Sequence, residues 1–121
     1  MRRLTGRILG AAIEVHRVIG PGLLESVYQT ALAQELTLQG IQFQREVSLA
    51  LEYKGVRIEN AYRLDFLVEN QVVVELKSVK VMEPIFASQT LTYLKITGCR
   101  VGLLINFNEA KLMEGVQRFI R

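Results

Sequence analysis

Several kinds of residue are scarce in this chain of 121 residues, and each scarcity argues against a class of protein. The single cysteine, Cys99, rules out an internal disulfide and fits a reducing cytoplasm. One histidine, His16, beside one cysteine does not make a zinc signature. No apolar run reaches the roughly 18 residues of a membrane helix, and charged residues interrupt segment 6–19, where a signal peptide would have its apolar centre. We therefore expect a cytoplasmic protein with no membrane segment.

The overall composition is that of an ordinary globular domain. Half of the residues are hydrophobic, 22% are charged, and the net charge is +3. This length is enough for one domain with one core, which we expect to span residues 1–121. The mild basic excess is compatible with a nucleic-acid partner but does not require one.

The most informative stretch is residues 63–77, which has the pattern of a β-hairpin. Its first half alternates apolar residues with residues that are polar except for Leu67, and its second half, Val72–Lys77, is β-branched and mostly apolar, as in an inner strand. Asp65, Glu75 and Lys77 do not fit that setting, because a charge among buried apolar side chains is costly unless it is paired or binds a metal. The apolar positions of the first strand share one predicted face: Tyr62, Leu64, Phe66 and Val68.

The length of the turn decides whether these charges meet. A three-residue loop centred on Asn70 would oppose Val68 to Val72 and Asp65 to Glu75, with the asparagine in left-handed conformation. Directly opposed residues lie roughly 5 Å apart at Cβ and share a face of the sheet. A two-residue turn would instead put the two acids on opposite faces.

Spacing alone leaves two interpretations of the charges open. Two carboxylates and one ammonium group on a half-buried patch suit a hard divalent cation such as Mg²⁺, which takes oxygen ligands. Lys77 could then polarise a phosphate or hold the attacking water. Alternatively, Asp65 and Glu75 share Lys77 and Arg63 in a structural ion-pair cluster.

Two helices and a strand precede the hairpin. Apolar and polar residues alternate toward the end of segment 41–53, which predicts the strand, and Lys54-Gly55 turns it. Apolar residues at helical spacing from Leu4 to Val18 predict a first helix, which Gly20-Pro21-Gly22 ends. A second helix is predicted from about Leu23 to Gln39, with Glu25 beside its apolar stripe. That acid either stabilises the N-terminus of the helix or aims a further carboxylate at the sheet. The stripe itself consists of Leu24, Val27, Tyr28, Ala31, Leu32 and Leu36.

A helix, a strand and a last helix are predicted after the hairpin. Pro84 begins the helix and Gly98 ends it. Gln89 and Tyr93 lie four residues apart on one face, and they either form a half-buried helix surface or orient a phosphate or water. The apolar run 101–107 predicts an inner strand. The last helix would be capped by Asn108 and carry Leu112, Val116, Phe119 and Ile120 on its apolar face.

The predicted element order defines the fold class. The strand–helix–strand passage from 72 to 107 can make a parallel crossover. We therefore predict a mixed α/β (α+β) fold, in which helices flank a mixed central sheet.

One segment resembles a known family. Gly22, Glu25 and Tyr28 match the signature of the GxxExxY proteins, which belong to the PD-(D/E)XK nuclease superfamily. The resemblance continues through Asp65, the triplet 75–77 and the third predicted helix, and so covers nearly the whole chain. It implies a restriction-endonuclease-like fold with an αβββαβ core.

The resemblance also implies a role for each candidate residue. The two acids of the hairpin bind a divalent metal, the acid of the second helix completes the metal site, and the lysine of the triplet is catalytic. We add the carbonyl oxygen of Leu76 as a further candidate ligand. Leu64 stands where the superfamily's motif has proline, a position that carries no ligand. The candidate catalytic residues are therefore Lys77, Asp65, Glu75, Gln89 and Tyr93, and the candidate metal ligands are Glu25, Asp65, Glu75 and Leu76.

We expect from this resemblance a Mg²⁺- or Mn²⁺-dependent nuclease that hydrolyses the phosphodiester bonds of nucleic acid, with DNA as the substrate. A homodimer is expected by analogy with nucleases that cut two strands. The alternatives are a catalytically inactive nucleic-acid-binding module and a protein-interaction module on the same fold.

Overall fold

The structure, a computed structural model, describes residues 1–121, in which three α-helices pack against a five-stranded sheet. The strands follow one another in sequence order across the sheet, and all neighbours are antiparallel except β3 and β4, which are parallel. None of the helices has both the length and the apolarity to cross a bilayer. The elements are α1 (Arg2–Ile19), α2 (Glu25–Leu38), β1 (Phe43–Tyr53), β2 (Val56–Val68), β3 (Val72–Lys77), α3 (Pro84–Thr97), β4 (Val101–Asn106), a 3₁₀ helix (Leu112–Gly115) and β5 (Val116–Ile120).

Both hairpins turn where the sequence predicts. Val68 lies opposite Val72, so β2 and β3 are joined by the three-residue loop, and Asn70 has a φ of 55°. Lys54 and Gly55 join β1 to β2 with φ values of 46° and 85°. Positive φ at both turn positions is what the tight hairpin turn of type I′ requires.

The predicted crossover is confirmed. From β3 the chain passes through α3 and returns as β4, parallel to β3, with Val72 beside Val101 and Lys77 beside Asn106. Every residue of β4 is buried, as are Val72 to Leu76 of β3. These are therefore the inner strands that their continuous apolar runs predicted.

The predicted last helix is wrong. After Asn108 the chain makes only the short 3₁₀ helix, and residues Val116–Ile120 form β5, antiparallel to β4. The spacing of Val116 and Ile120 fits a helix, but β4 is buried and needs a hydrogen-bonding neighbour on its free side. The need of the buried β4 backbone for hydrogen bonds outweighs the helical spacing of these two residues.

The core lies mainly between the sheet and the first two helices. The α2 helix begins later than predicted, at Glu25, so Leu24 of the expected stripe lies outside it and is 74% exposed. Val27 lies within the helix but is 40% exposed, so it does not belong to the buried stripe. A smaller apolar cluster, which includes Leu94 of α3, lies on the other face of the sheet. The buried side chains of α2 are Tyr28, Leu32, Ala33 and Leu36.

The apolar face of β2 changes sides at Asp65. Leu64 packs in the cluster beneath α3, whereas Phe66 and Val68 pack in the core under α1 and α2. The pairing of β1 with β2 is interrupted between these residues, at Glu46 and Asp65, and Glu46 has a φ of 49°. The predicted single apolar face of this strand is therefore wrong. Irregularities of this kind bend strands and redirect side chains.

Candidate active site

Asp65 and Glu75 meet where β2 and β3 part. The backbone pairing of the two strands ends at Phe66 and Val74, one position before the pair that the sequence predicts between the two acids. Instead, the N–H of Asp65 donates to Oε1 of Glu75 at 2.8 Å, and the N–H of Leu76 donates to Oδ2 of Asp65 at 2.8 Å. Each carboxylate thus reaches the backbone of the opposite strand, which brings the two acids together.

This pair of acids lies in a strongly desolvated place. Glu75 is only 7% exposed, and burial, followed by the charge of Asp65, raises its pKa to about 8. Burial also raises the pKa of Asp65, against the hydrogen bond from the Leu76 N–H, which lowers it. The two carboxylates therefore carry more negative potential than their surroundings neutralise, and they favour a proton or a cation.

Lys77 lies on β3 two residues after Glu75 but forms no ion pair with either acid. Its Nζ lies 4.4 Å from the ring centroid of Phe86, a cation–π contact. Arg63 approaches Glu46 instead, at 4.0 Å. The interpretation as a structural ion-pair cluster is therefore wrong. The lysine is still near enough for its charge to lower the pKa of both acids.

Glu25 begins α2 and lies near enough to interact with the charge of Asp65, but it does not join the pair. The residue as a whole is exposed, yet its carboxyl group is partly buried, and this burial raises its pKa. The charge of Lys77 lowers the same pKa, and the charge of Asp65 raises it. No three side chains of the types His, Cys, Asp and Glu form a group compact enough to hold a metal ion. In this structure the candidate ligands therefore form a pair rather than a triad.

The pair alone has the chemistry for Mg²⁺ or Mn²⁺. Mg²⁺ is often bound through one or two carboxylates together with phosphate and water oxygens. Oε2 of Glu75 accepts no hydrogen bond, and each bonded oxygen of Asp65 keeps a lone pair. Both side chains therefore fit a hard divalent cation.

Tyr93 lies beside the acids, and Gln89 lies one helical turn away. Tyr93 is 8% exposed, and its ring meets that of Tyr62 edge-on, with the centroids 5.9 Å apart. Burial, Glu75 and Asp65 all raise the pKa of its hydroxyl, in that order. Gln89 is exposed, and its side chain makes no hydrogen bond to the protein. Gln89 and Tyr93 therefore lie on one face of α3 without a hydrogen bond between them.

Comparison with known proteins shows the superfamily of this chain. A family model of the PD-(D/E)XK nuclease superfamily matches residues 2–119. The chain belongs to this superfamily. Its mixed sheet and flanking helices are consistent with the restriction-endonuclease-like fold that the sequence predicted.

One solved structure similar to this superfamily member is the crystal structure of SSO0001, with a TM-score of 0.62 and 19% sequence identity. The match covers 80% of this chain and 50% of the other, so this chain spans about half the length of that protein. At this identity the likeness shows the fold alone. No protein with a curated description matches the chain.

Two linked hydrogen bonds that the sequence did not reveal hold the carboxylate of Asp65 in place in this superfamily member. The amide of Gln29 donates to Oδ1 of Asp65 at 3.2 Å, and Arg45 donates to the amide oxygen of Gln29 at 2.9 Å. Gln29 follows Glu25 by four residues on α2, which is the one signal that could have indicated it. Nothing in the alternating pattern of β1 indicates Arg45. Together they fix the amide so that its N–H₂ faces the carboxylate.

Tyr28 fixes the point at which α2 begins. Its hydroxyl donates to the carbonyl of Gly20 at 2.6 Å and accepts from the N–H of Leu23 at 3.1 Å. Its ring stacks on Phe107, with the centroids 4.5 Å apart. Gly20 has φ 73° and ψ −178°, a region that only glycine enters readily. The tyrosine thereby closes the turn between α1 and α2 and sets the position of Glu25.

Asn106 anchors the loop that follows Lys77, and the sequence did not indicate it. It is fully buried at the end of β4, opposite Lys77. Its amide accepts from the N–H of Val79 at 3.1 Å and donates to the carbonyl of the same residue at 3.0 Å. A polar residue ending an otherwise apolar strand is the signal that could have revealed it.

Proposed function

We propose that this member of the PD-(D/E)XK superfamily is a divalent-metal-dependent nuclease that hydrolyses phosphodiester bonds, with DNA as its substrate. The observation that carries the proposal is the pair formed by Asp65 and Glu75. The two carboxylates are held together at the fork of two strands, are desolvated, and form no ion pair. A desolvated pair of acids without a cation is costly, and a bound metal ion would offset that cost.

Asp65 and Glu75 would hold Mg²⁺ or Mn²⁺, with Glu25 and the carbonyl of Leu76 as further candidate ligands. A bound ion would act as a Lewis acid toward the phosphate and lower the pKa of a water molecule. Lys77, held on the ring of Phe86, would stabilise the negative charge that grows on the phosphate.

Tyr93 and Gln89 would position the substrate. The hydroxyl of Tyr93 is protonated at neutral pH, and its raised pKa extends this to more alkaline pH, so it can donate a hydrogen bond to a phosphate oxygen. The free amide of Gln89 offers both a donor and an acceptor to a phosphate or a water.

The test is a cleavage assay with Mg²⁺ or Mn²⁺ on single-stranded, duplex and branched DNA and on RNA, with Asp65→Ala as the inactive control. We expect Lys77→Ala to abolish cleavage while leaving the fold and most metal binding intact, because this side chain is not a candidate ligand. Lys80→Ala, which removes an exposed lysine from the adjoining loop, is the matched control and should cleave normally. Unchanged cleavage by Lys77→Ala would remove the mechanism.

A second candidate function is a nucleic-acid-binding module without catalysis. Backbone N–H groups already bind one oxygen of each acid of the pair, and Glu25 stands apart. Calorimetric titration with Mn²⁺ distinguishes the two candidates. No binding of metal, together with salt-dependent binding of DNA, would favour the module. If the protein binds neither metal nor DNA, a protein-interaction domain is favoured.

We further propose that the protein belongs to the GxxExxY family, folds as a single domain, is cytoplasmic and forms a homodimer. Gly22, Glu25 and Tyr28 support membership of the GxxExxY family, and residues 1–121 would form a single domain. The buried, unpaired Cys99 supports a cytoplasmic location. A homodimer follows from analogy with nucleases that cut both strands, and a monomer in light scattering at working concentration would contradict it.

A further inference from the structure

An open groove of about 390 Å³ lies beside the candidate site, between β2 and α3. It shares Tyr93 with the site, and Ile85 on its wall precedes Phe86, which holds Lys77. Arg63, another lining residue, lies two positions before Asp65 on β2. The groove is therefore continuous with the place where a substrate phosphate would lie. Its volume falls within the usual range of small-ligand sites.

One part of this groove is aromatic and apolar. Tyr62 is half-buried, and its ring is held edge-on against Tyr93 at 5.9 Å between centroids. Ile85 is 57% exposed on the opposite wall. A fixed aromatic ring beside an exposed aliphatic side chain can receive a flat ring such as a nucleobase.

The other part is polar and carries one cation. The side chain of Arg63 is 67% exposed, and its nearest acid, Glu46, is 4.0 Å away. Gln89 makes no hydrogen bond to the protein, and Thr92 donates its hydroxyl to the carbonyl of Ser88 at 3.0 Å, which leaves its lone pairs free. The guanidinium can bind a phosphate, and the amide can bind the edge of a base.

We propose that this groove binds one nucleotide of a single-stranded nucleic acid, with the base on Tyr62 and the adjoining phosphate on Arg63. The inference rests on the proposed function, because it places this nucleotide next to the bond to be cut. In a duplex both faces of each base are covered by stacked neighbours, so only an unpaired base can offer a face to the tyrosine ring. The groove thus selects single-stranded, frayed or branched substrates over intact duplex.

The test measures binding without cleavage. Fluorescence anisotropy of a labelled oligothymidylate is recorded in EDTA between about 50 and 200 mM salt, with an oligouridylate and a duplex of equal length as further probes. We expect Arg63→Ala to lower the slope of log K against log salt by about 0.7, the value of one single-strand phosphate contact. Arg57→Ala is the matched control, because its side chain lies on the same strand with 71% exposure, and it should keep the wild-type slope.

Tyr62→Leu tests the base contact separately. Leucine keeps an apolar contact with Tyr93 but removes the stacking surface, so affinity should fall about tenfold with an unchanged salt slope. Thermal melting shows whether the variant is folded. Tighter binding of either single strand than of the duplex supports the groove, and the order of the two oligomers shows which sugar it prefers.

Wild-type affinity and slope in both variants would overturn the proposal, as would equal or tighter binding of the duplex. The outcome is separable from that of the proposed function. If Arg63→Ala and Tyr62→Leu change binding but the protein cleaves nothing in Mn²⁺, the groove stands and the nuclease proposal fails. If the protein cleaves single strands and both variants keep the wild-type KM, the groove fails and the nuclease proposal stands.

Discussion

Replacing Glu75 by glutamine should stabilise the metal-free protein at alkaline pH and not at acid pH. Glu75 is 7% exposed, and its pKa of about 8 in the folded chain lies above the 4.5 of an ordinary glutamate. The folded state therefore holds this proton more tightly than the unfolded state does. By linkage, the free energy of unfolding falls as the pH rises from the ordinary pKa through the raised one.

The size of the effect follows from the same two values. The pKa of Glu75 rises from 4.5 to about 8, and each tenfold change in proton affinity corresponds to about 1.36 kcal/mol. The gain in the free energy of unfolding therefore has an upper limit of about 5 kcal/mol. We expect about 1–3 kcal/mol, because water and neighbouring dipoles relax around a buried charge. Glutamine removes the charge and keeps an oxygen that can accept the N–H of Asp65, so the native hydrogen bond survives. Its N–H₂ can also face the Asp65 carboxylate.

Urea unfolding in EDTA, followed by circular dichroism, gives the free energy of unfolding at about pH 4 and about pH 8.5. Glu75→Gln should equal the wild type at the acid pH and exceed it at the alkaline pH. Glu52→Gln removes an exposed carboxylate that makes no hydrogen bond or ion pair, and it should differ from the wild type at neither pH. A gain of the same size at both pH values, or no gain at the alkaline one, would refute the reasoning. Added Mn²⁺ should stabilise the wild type and not the variant.

Two further variants test the support around the site. Gln29→Leu removes the hydrogen bond to Oδ1 of Asp65, so the Mn²⁺ affinity measured by calorimetry should fall about tenfold. Gln34→Leu, at an exposed position of the same helix, should leave this affinity unchanged. Tyr28→Phe keeps the ring but removes the hydroxyl that binds the carbonyl of Gly20 and the N–H of Leu23, so urea unfolding should show a loss of about 1–3 kcal/mol; wild-type stability would mean that this hydroxyl does not hold the turn.

The parts of the fold that the sequence predicted depend on short-range chemistry. Asn70 and Lys54-Gly55 determine their turns through backbone preferences that act within a few residues. Once the three-residue loop is fixed, the proximity of Asp65 and Glu75 follows by counting. The site was therefore predictable to the extent that it lies within one hairpin.

The errors arise where a distant segment decides. Val116 and Ile120 have the spacing of a helix, yet a buried β4 needs a second neighbour, and the segment that contains these two residues provides it as β5. The change of face in β2 was hidden because Phe66, Leu67 and Val68 are all apolar, so alternation carries no signal there. The contact of Gln29 with Asp65 joins residues 36 positions apart, which no local pattern encodes.

The carboxylates of this site also accept backbone N–H groups that would otherwise pair within the sheet. Loss of activity in a variant can therefore come from lost stability as well as from a lost ligand. Oδ2 of Asp65 accepts the N–H of Leu76 just beyond the last backbone pair of β2 and β3. Asp65→Ala therefore removes a candidate ligand and also leaves a buried N–H without its partner, at a cost of about 1–3 kcal/mol. Asp65→Asn keeps an oxygen for that N–H and removes the charge. If Asp65 holds the metal, both variants should lose cleavage and Mn²⁺ binding, while only Asp65→Ala should lose stability in urea. If Asp65→Asn cleaves like the wild type, the carboxylate serves the sheet and not the reaction.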